Sequence, residues 1–249
     1  MDNPILYYVL LVGISVLGIF QNSVSLNPLR FHCNNYILNT YLYFILSWAI
    51  VLSTVTAIQY KNIPLKDIFT TPFTILLFIS SILLLVGLMS MKSSNHFISK
   101  HIMFIFLLML FGVTLYPYYV YNKNRFNHVG LTTIGIFLVL SIISYVYPNL
   151  ISSTWNMYLT IALLALIITR LVEMFLLDTT LKNSNYSNII TYIAIAIFAL
   201  FIMFDTKQVV INSVKCGVSP FGPDYINESV NLFLDSLNMF QNIYHIRSD

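Results

Sequence analysis

Charge is what this chain has least of. Only 8% of its 249 residues are charged and 58% are hydrophobic, with a mean hydropathy of +0.80. Ordinary soluble domains carry charge on about a quarter of their residues. That deficit excludes a soluble globular domain and makes the chain an integral membrane protein. The 12 basic and 9 acidic residues leave a net charge of +3 and are scattered. Without a basic run there is no nucleic-acid face. Two cysteines, Cys33 and Cys216, are too few for a disulfide framework or a thiolate zinc site, although a single bridge stays open. Histidines and carboxylates nowhere take zinc-ligand spacing. G-x-S-x-G, a Gly-rich phosphate loop and a Ser and His pairing in adjacent spans are also missing, which weighs against an intramembrane hydrolase. No internal repeat is detectable, so the chain reads as one membrane domain.

What is present is a succession of apolar segments. Pro4 to Phe20 comes first, with an acidic residue ahead of it where a signal peptide has a basic region, so it is expected to be an uncleaved span at the periphery of the bundle. A polar connector, Gln21 to Asn35, follows. Then come Tyr36 to Ile58, Pro72 to Met91, His101 to Tyr121, Val129 to Tyr147 and Trp155 to Leu177, each long enough for ~30 Å of hydrocarbon. The next segment starts at Ile189 and is purely apolar to Phe204, too short to span, so it is expected to run through Asp205 to about Ile211. Gly217, Pro220, Gly222 and Pro223 then break the chain before a final helix, Tyr225 to Ile246.

Basic residues flank both faces of this arrangement. Arg30, Lys92, Lys100, Lys207 and Lys215 fall on one face, and Lys61, Lys66, Lys123, Arg125, Lys182 and Arg247 on the other, which decides no orientation. Six spans separate Cys33 from Cys216. Being even, that number puts both thiols against one compartment, where they can pair if it is oxidising. The Asn185-Tyr186-Ser187 sequon lies in a join on the opposite face.

The final helix carries an unusual stripe. At ~100° per residue, Asn227, Asn231, Asp235, Asn238, Asn242 and His245 fall within an arc of roughly 80°, while Leu232, Phe233, Leu237, Phe240, Ile243 and Tyr244 cover much of the rest. A carboxylate at mid-span needs a partner, a proton or a water path. Arg170 and Glu173, three residues apart, satisfy each other as a local ion pair. Asp205 and Asp235 have no basic neighbour at i±3 or i±4, so either they meet each other or each satisfies helix-end amides separately. Two carboxylates within hydrogen-bond reach in a dry site cannot both ionise cheaply, so they share a proton. Such a pair is a pH switch between two helices, and a gate if those helices line a path.

Phe204-Asp205-Thr206-Lys207-Gln208 resembles the aspartate-containing end of the sixth helix in the transmembrane Bax inhibitor motif family. Leu232-Phe233-Leu234-Asp235-Ser236-Leu237-Asn238-Met239-Phe240 is similar to that family's final helix, and Gly112-Val113-Thr114-Leu115-Tyr116-Pro117 to the motif of its third. The resemblance covers Tyr36 to Ile246. It implies an all-α, seven-helix bundle with a central last helix, here with one extra N-terminal hydrophobic helix in residues 1–35. It further implies a paired-aspartate pH sensor, Asp205 with Asp235, and a calcium leak in which calcium is the permeant ion, weakly and transiently held by those two carboxylates, and no cofactor is needed. Asn231, Asn238, Asn242, Lys92 and Lys207 would support the pore or its hydrogen-bond network, and Gly112 and Pro117 would serve helix packing. Family members also use a basic latch in the second helix. Pro72 to Met91 is uncharged here, and Lys92 just beyond is the nearest candidate.

The expected setting is the endoplasmic reticulum, the Golgi or another intracellular membrane rather than the plasma membrane, with a viral membrane as a further setting. Expected partners are the bilayer, calcium and apoptosis-regulating membrane proteins. The chief rival is a non-conducting relative that acts by binding such proteins.

Overall fold

The structure, a computed structural model, describes residues 4–26, 29–175, 184–218 and 222–246. Helix α1 (Pro4–Ser23) leads into a short antiparallel hairpin, β1 (Val24–Leu26) and β2 (Leu29–Phe31), inside what the sequence presents only as a polar connector. There follow α2 (Tyr36–Tyr60), the single turn α3 (Leu65–Ile68), α4 (Thr71–Ser90), α5 (Phe97–Tyr121), α6 (Lys123–Val146), α7 (Trp155–Phe175), α8 (Ser184–Lys215) and α9 (Tyr225–Ile246). Every apolar segment is a helix, and α1, α5, α6 and α8 run about a turn or more beyond the apolar run. Lys182, Arg247, the end of the expected segment at Leu177 and the side chain of Asn185 lie outside the described residues.

Among the described residues, α1, α2, α4, α5, α6, α7 and α8 are long and apolar enough to cross a membrane. α9 is long enough but too polar to qualify, because its stripe dilutes its hydropathy. Burial explains how it can be so. Tyr225, Ile226, Val230, Leu232, Phe233, Leu237, Met239 and Phe240 are all buried, so protein rather than lipid surrounds the helix. α4 is the opposite case: it is uniformly apolar and buries only Leu77 and Leu88. Without a hydrophobic drive between helices in lipid, an all-apolar helix can face the bilayer and a striped one cannot.

The chain divides into two compact units, Met1–Lys123 with Ile211–Phe233, and Asn124–Val210 with Leu234–Asp249. The division falls within α8 and within α9. In the first unit α1 packs along α2, and α2 and α4 both pack on α5. The α2–α5 contact turns on Gly112: a Cβ there would stand 2.6 Å from Thr54 Cβ and 2.9 Å from the Val51 carbonyl oxygen. Neither neighbour can withdraw, one being branched at Cβ and the other main chain. Gly112→Ala is therefore expected to cost about 1–3 kcal/mol through overpacking, read as a lowered melting temperature in detergent. Pro117 sits inside α5, which continues past it to Tyr121.

In the second unit Phe204 packs with Ile151 and Leu159. The Ser144 hydroxyl donates to the Met203 carbonyl at 2.5 Å, tying α6 to α8, and the rings of Phe126 and Phe240 meet edge-on at 5.0 Å, tying α6 to α9.

Candidate functional site: a carboxylate pair between two helices

α8 and α9 each place one carboxylate in the second unit, and the two meet. The side chains of Asp205 and Asp235 are hydrogen-bonded to one another. Asp235 is buried and its Oδ2 meets no hydrogen-bond partner among the described residues, while Asp205 is half-buried. A hydrogen bond between two carboxyl groups requires a proton on one of them, since ionised carboxylates only accept. A pair so placed can share a proton, and full ionisation would leave two like charges in contact inside protein. Thr206, next along α8, donates from its hydroxyl to Ser141 at 3.3 Å and is itself buried, which fixes the turn bearing Asp205 against α6.

The stripe below the pair is largely self-satisfied. Asn238 Nδ2 donates to the Leu234 carbonyl and Asn242 Nδ2 to the Asn238 carbonyl, both at 2.8 Å, so each amide bonds back along its own helix. Asn231, one turn before Asp235, is exposed. Lys207 donates to the carbonyl of Ile151 in the turn after α6, and so anchors α8 at that end. Lys92 lies exposed in the turn after α4, within the first unit. No group of three or more His, Cys, Asp or Glu side chains converges among the described residues, and the aspartate pair alone offers a metal only two ligands.

Arg170 does more than its sequence context indicates. It pairs with Glu173 at 2.8 Å, as the spacing predicts, but its second terminal nitrogen also donates to Thr191 Oγ1 at 2.8 Å and to Asn242 Oδ1 at 3.3 Å. The ion pair is thus a three-helix tie among α7, α8 and α9, invisible to a rule that looks only at i±3 and i±4.

The comparison with known proteins bears on the chain as a whole rather than on these residues. The family described as Inhibitor of apoptosis-promoting Bax1 matches residues 33–248 by its sequence profile. The chain belongs to this family. A search of curated proteins finds no match. Bax-inhibitor membership covers every helix from α2 to α9 and leaves α1 and the hairpin outside the match, consistent with an all-α polytopic fold carrying an added N-terminal segment. It also brings an apoptosis-related role with it.

A second polar cluster, in the first unit, escaped sequence reasoning altogether. Asp224 caps α9: its Oδ1 accepts from the Asn227 amide at 3.3 Å and from the Ser93 hydroxyl at 2.9 Å. Its Oδ2 accepts from Lys100 Nζ at 2.5 Å, and Lys100, wholly buried, also donates to the Met91 carbonyl at 2.6 Å. From sequence, Lys100 is a cation in a join and Asp224 a residue of a Pro- and Gly-rich linker. The available signal was Asp224 immediately before the first residue of a helix, the usual signature of a capping aspartate. Next to Lys100, His101 accepts at Nε2 from Tyr43 Oη at 2.7 Å and donates from Nδ1 to the Phe97 carbonyl at 2.7 Å, locked among aromatic rings.

Proposed function

We propose that this Bax-inhibitor family protein is a pH-sensitive calcium leak, with the Asp205–Asp235 pair as its sensor, rather than an enzyme. The observation that carries the reading is the carboxyl–carboxyl hydrogen bond between α8 and α9, with one Asp235 oxygen unpartnered among the described residues. While the pair holds its proton it ties the two helices together. Full ionisation replaces that bond with repulsion inside protein, where like charges are poorly screened from one another. A calcium leak of this kind would modulate ion stores in an intracellular membrane, and calcium would pass without a stable cage, since hard-cation sites need six or more oxygen ligands.

Calcium entry into dye-loaded liposomes containing the purified protein tests the reading. Flux is followed from about pH 5 to pH 8, and a leak that rises as the pair gives up its shared proton is expected. Folded protein that passes no calcium at any pH in that range would favour the non-conducting, partner-binding alternative.

A further inference from the structure

Residues 24–32 lie outside the family match and Cys33 begins it, yet the structure fastens this arm to the rest of the first unit at three points. The hairpin pairs Val24 with Phe31, Ser25 with Arg30 and Leu26 with Leu29, and the His32 amide closes its base on the Ser23 carbonyl at 2.7 Å. Phe31 is buried, with its ring 4.8 Å from Phe97, 5.0 Å from Tyr225 and 5.8 Å from Tyr43. Tyr225, the first residue of α9, donates its hydroxyl to the His32 carbonyl. Cys33 is bonded to Cys216, the residue that follows α8. The arm therefore grips the end of α8 covalently and the start of α9 by packing and a hydrogen bond. Between those two points runs the linker that joins the helices carrying Asp205 and Asp235.

Under the arm is a polar mouth. Glu228 accepts from Asn212 at 2.6 Å and from Tyr36 at 3.5 Å, the Lys100–Asp224 pair lies at the same end of α9, and Tyr36, Asn212, Cys216, Asp224 and Glu228 line a cavity of about 510 Å³. A disulfide persists against an oxidising compartment and not against a reduced cytosol. The face bearing the bridge is accordingly the lumenal or external one.

We propose that β2 and Cys33 form a thiol-fastened strap that ties the end of α8 to the start of α9 on the oxidising side, and that a dithiol reductant releases it. In the release step two electrons and two protons pass from the dithiol to the bridge. Cys33 and Cys216 become free thiols, and the dithiol becomes a disulfide. With the covalent grip gone, only the Phe31 packing and the Tyr225 hydrogen bond hold the arm, so it opens locally far more often. That such opening would loosen the two sensor helices at one end rests on the leak reading above. The strap itself does not.

The test is amide hydrogen exchange of the intact protein in nanodiscs, oxidised and after dithiothreitol, with free thiols counted by alkylation and mass. One bridge is expected before reduction. After it, exchange in residues 29–35, 216–218 and 222–224 should quicken at least tenfold while α5 and α6 stay unchanged. The Cys33→Ser, Cys216→Ser double variant should reproduce the reduced pattern without reductant. Two free thiols in protein prepared without reductant would overturn the proposal, as would exchange in these segments that is unchanged in the reduced protein and in the double variant. Neither readout involves calcium, so a protein that passes none leaves this test intact.

Discussion

Asp224→Asn is expected to destabilise the protein by about 3–5 kcal/mol, because it removes the carboxylate that pairs with a wholly buried ammonium. Lys100 would keep the Met91 carbonyl and an amide oxygen, neither of which balances a full charge. The reverse deletion should be milder. In Lys100→Met an apolar chain of similar length fills the space, and Asp224, whose side chain is 30% exposed, retains the Ser93 hydroxyl, the Asn227 amide and access to water. Replacing the buried member of an ion pair with a hydrophobe is frequently near neutral, whereas stranding it is not. The check is the melting temperature of both variants in the same detergent, where Asp224→Asn should fall well below Lys100→Met. Equal losses would mean that Asp224 serves as a helix cap only, a role that Asn fills almost as well as Asp.

Phe233→Ala should be the next most damaging change. Phe233 is fully buried on α9, with its ring 5.3 Å from Trp48 of α2 and 5.7 Å from Phe111 of α5. In lipid the transfer contribution to such a loss is small, because the unfolded reference is itself apolar. What remains is the cavity: roughly 100 Å³ at about 24 cal/mol per Å³ gives about 2–3 kcal/mol. Phe78, on the lipid side of α4 and 68% exposed, is the control, and Phe78→Ala should shift stability by no more than about 0.5 kcal/mol. Unfolding in graded denaturing detergent measures both. A Phe233 variant as stable as the Phe78 variant would mean that α9 is not the buried helix of this fold.

The sequence was most legible where the physics is one-dimensional. Hydrocarbon thickness sets segment length, so each span could be read from composition, and α9 was found to its last residue because its stripe and its flanking Pro and Gly are local signals. Asp205 and Asp235 could be singled out because a carboxylate inside a span has to be accounted for, and neither had a partner on its own helix. The even number of spans between Cys33 and Cys216 allowed their bridge without requiring it. What stayed hidden depends on pairs remote in sequence. Lys100 and Asp224 are 124 residues apart, Arg170 and Asn242 are 72, and nothing at either end of such a pair announces the other. The hairpin was missed for a different reason: strands of three residues are too short for alternation to show, and their stability comes from Phe31 packing on rings supplied by three distant helices.

The central claim is that Asp205 and Asp235 act as one proton-sharing unit, and the most direct test is the pH dependence of calcium flux in Asp205→Asn and Asp235→Asn liposomes. An asparagine amide can hydrogen-bond the remaining carboxylate at any pH, so the tie between α8 and α9 no longer depends on a shared proton. Followed from about pH 5 to pH 8, each single variant should therefore lose the rise in flux, and the double variant should do no worse than either single, because the two groups are one switch. Even a shift of about one unit in the midpoint would correspond to about 1.4 kcal/mol of coupling, well within reach of such a measurement. If both single variants keep the wild-type profile, the pair is not the sensor, and the stripe on α9 serves packing alone.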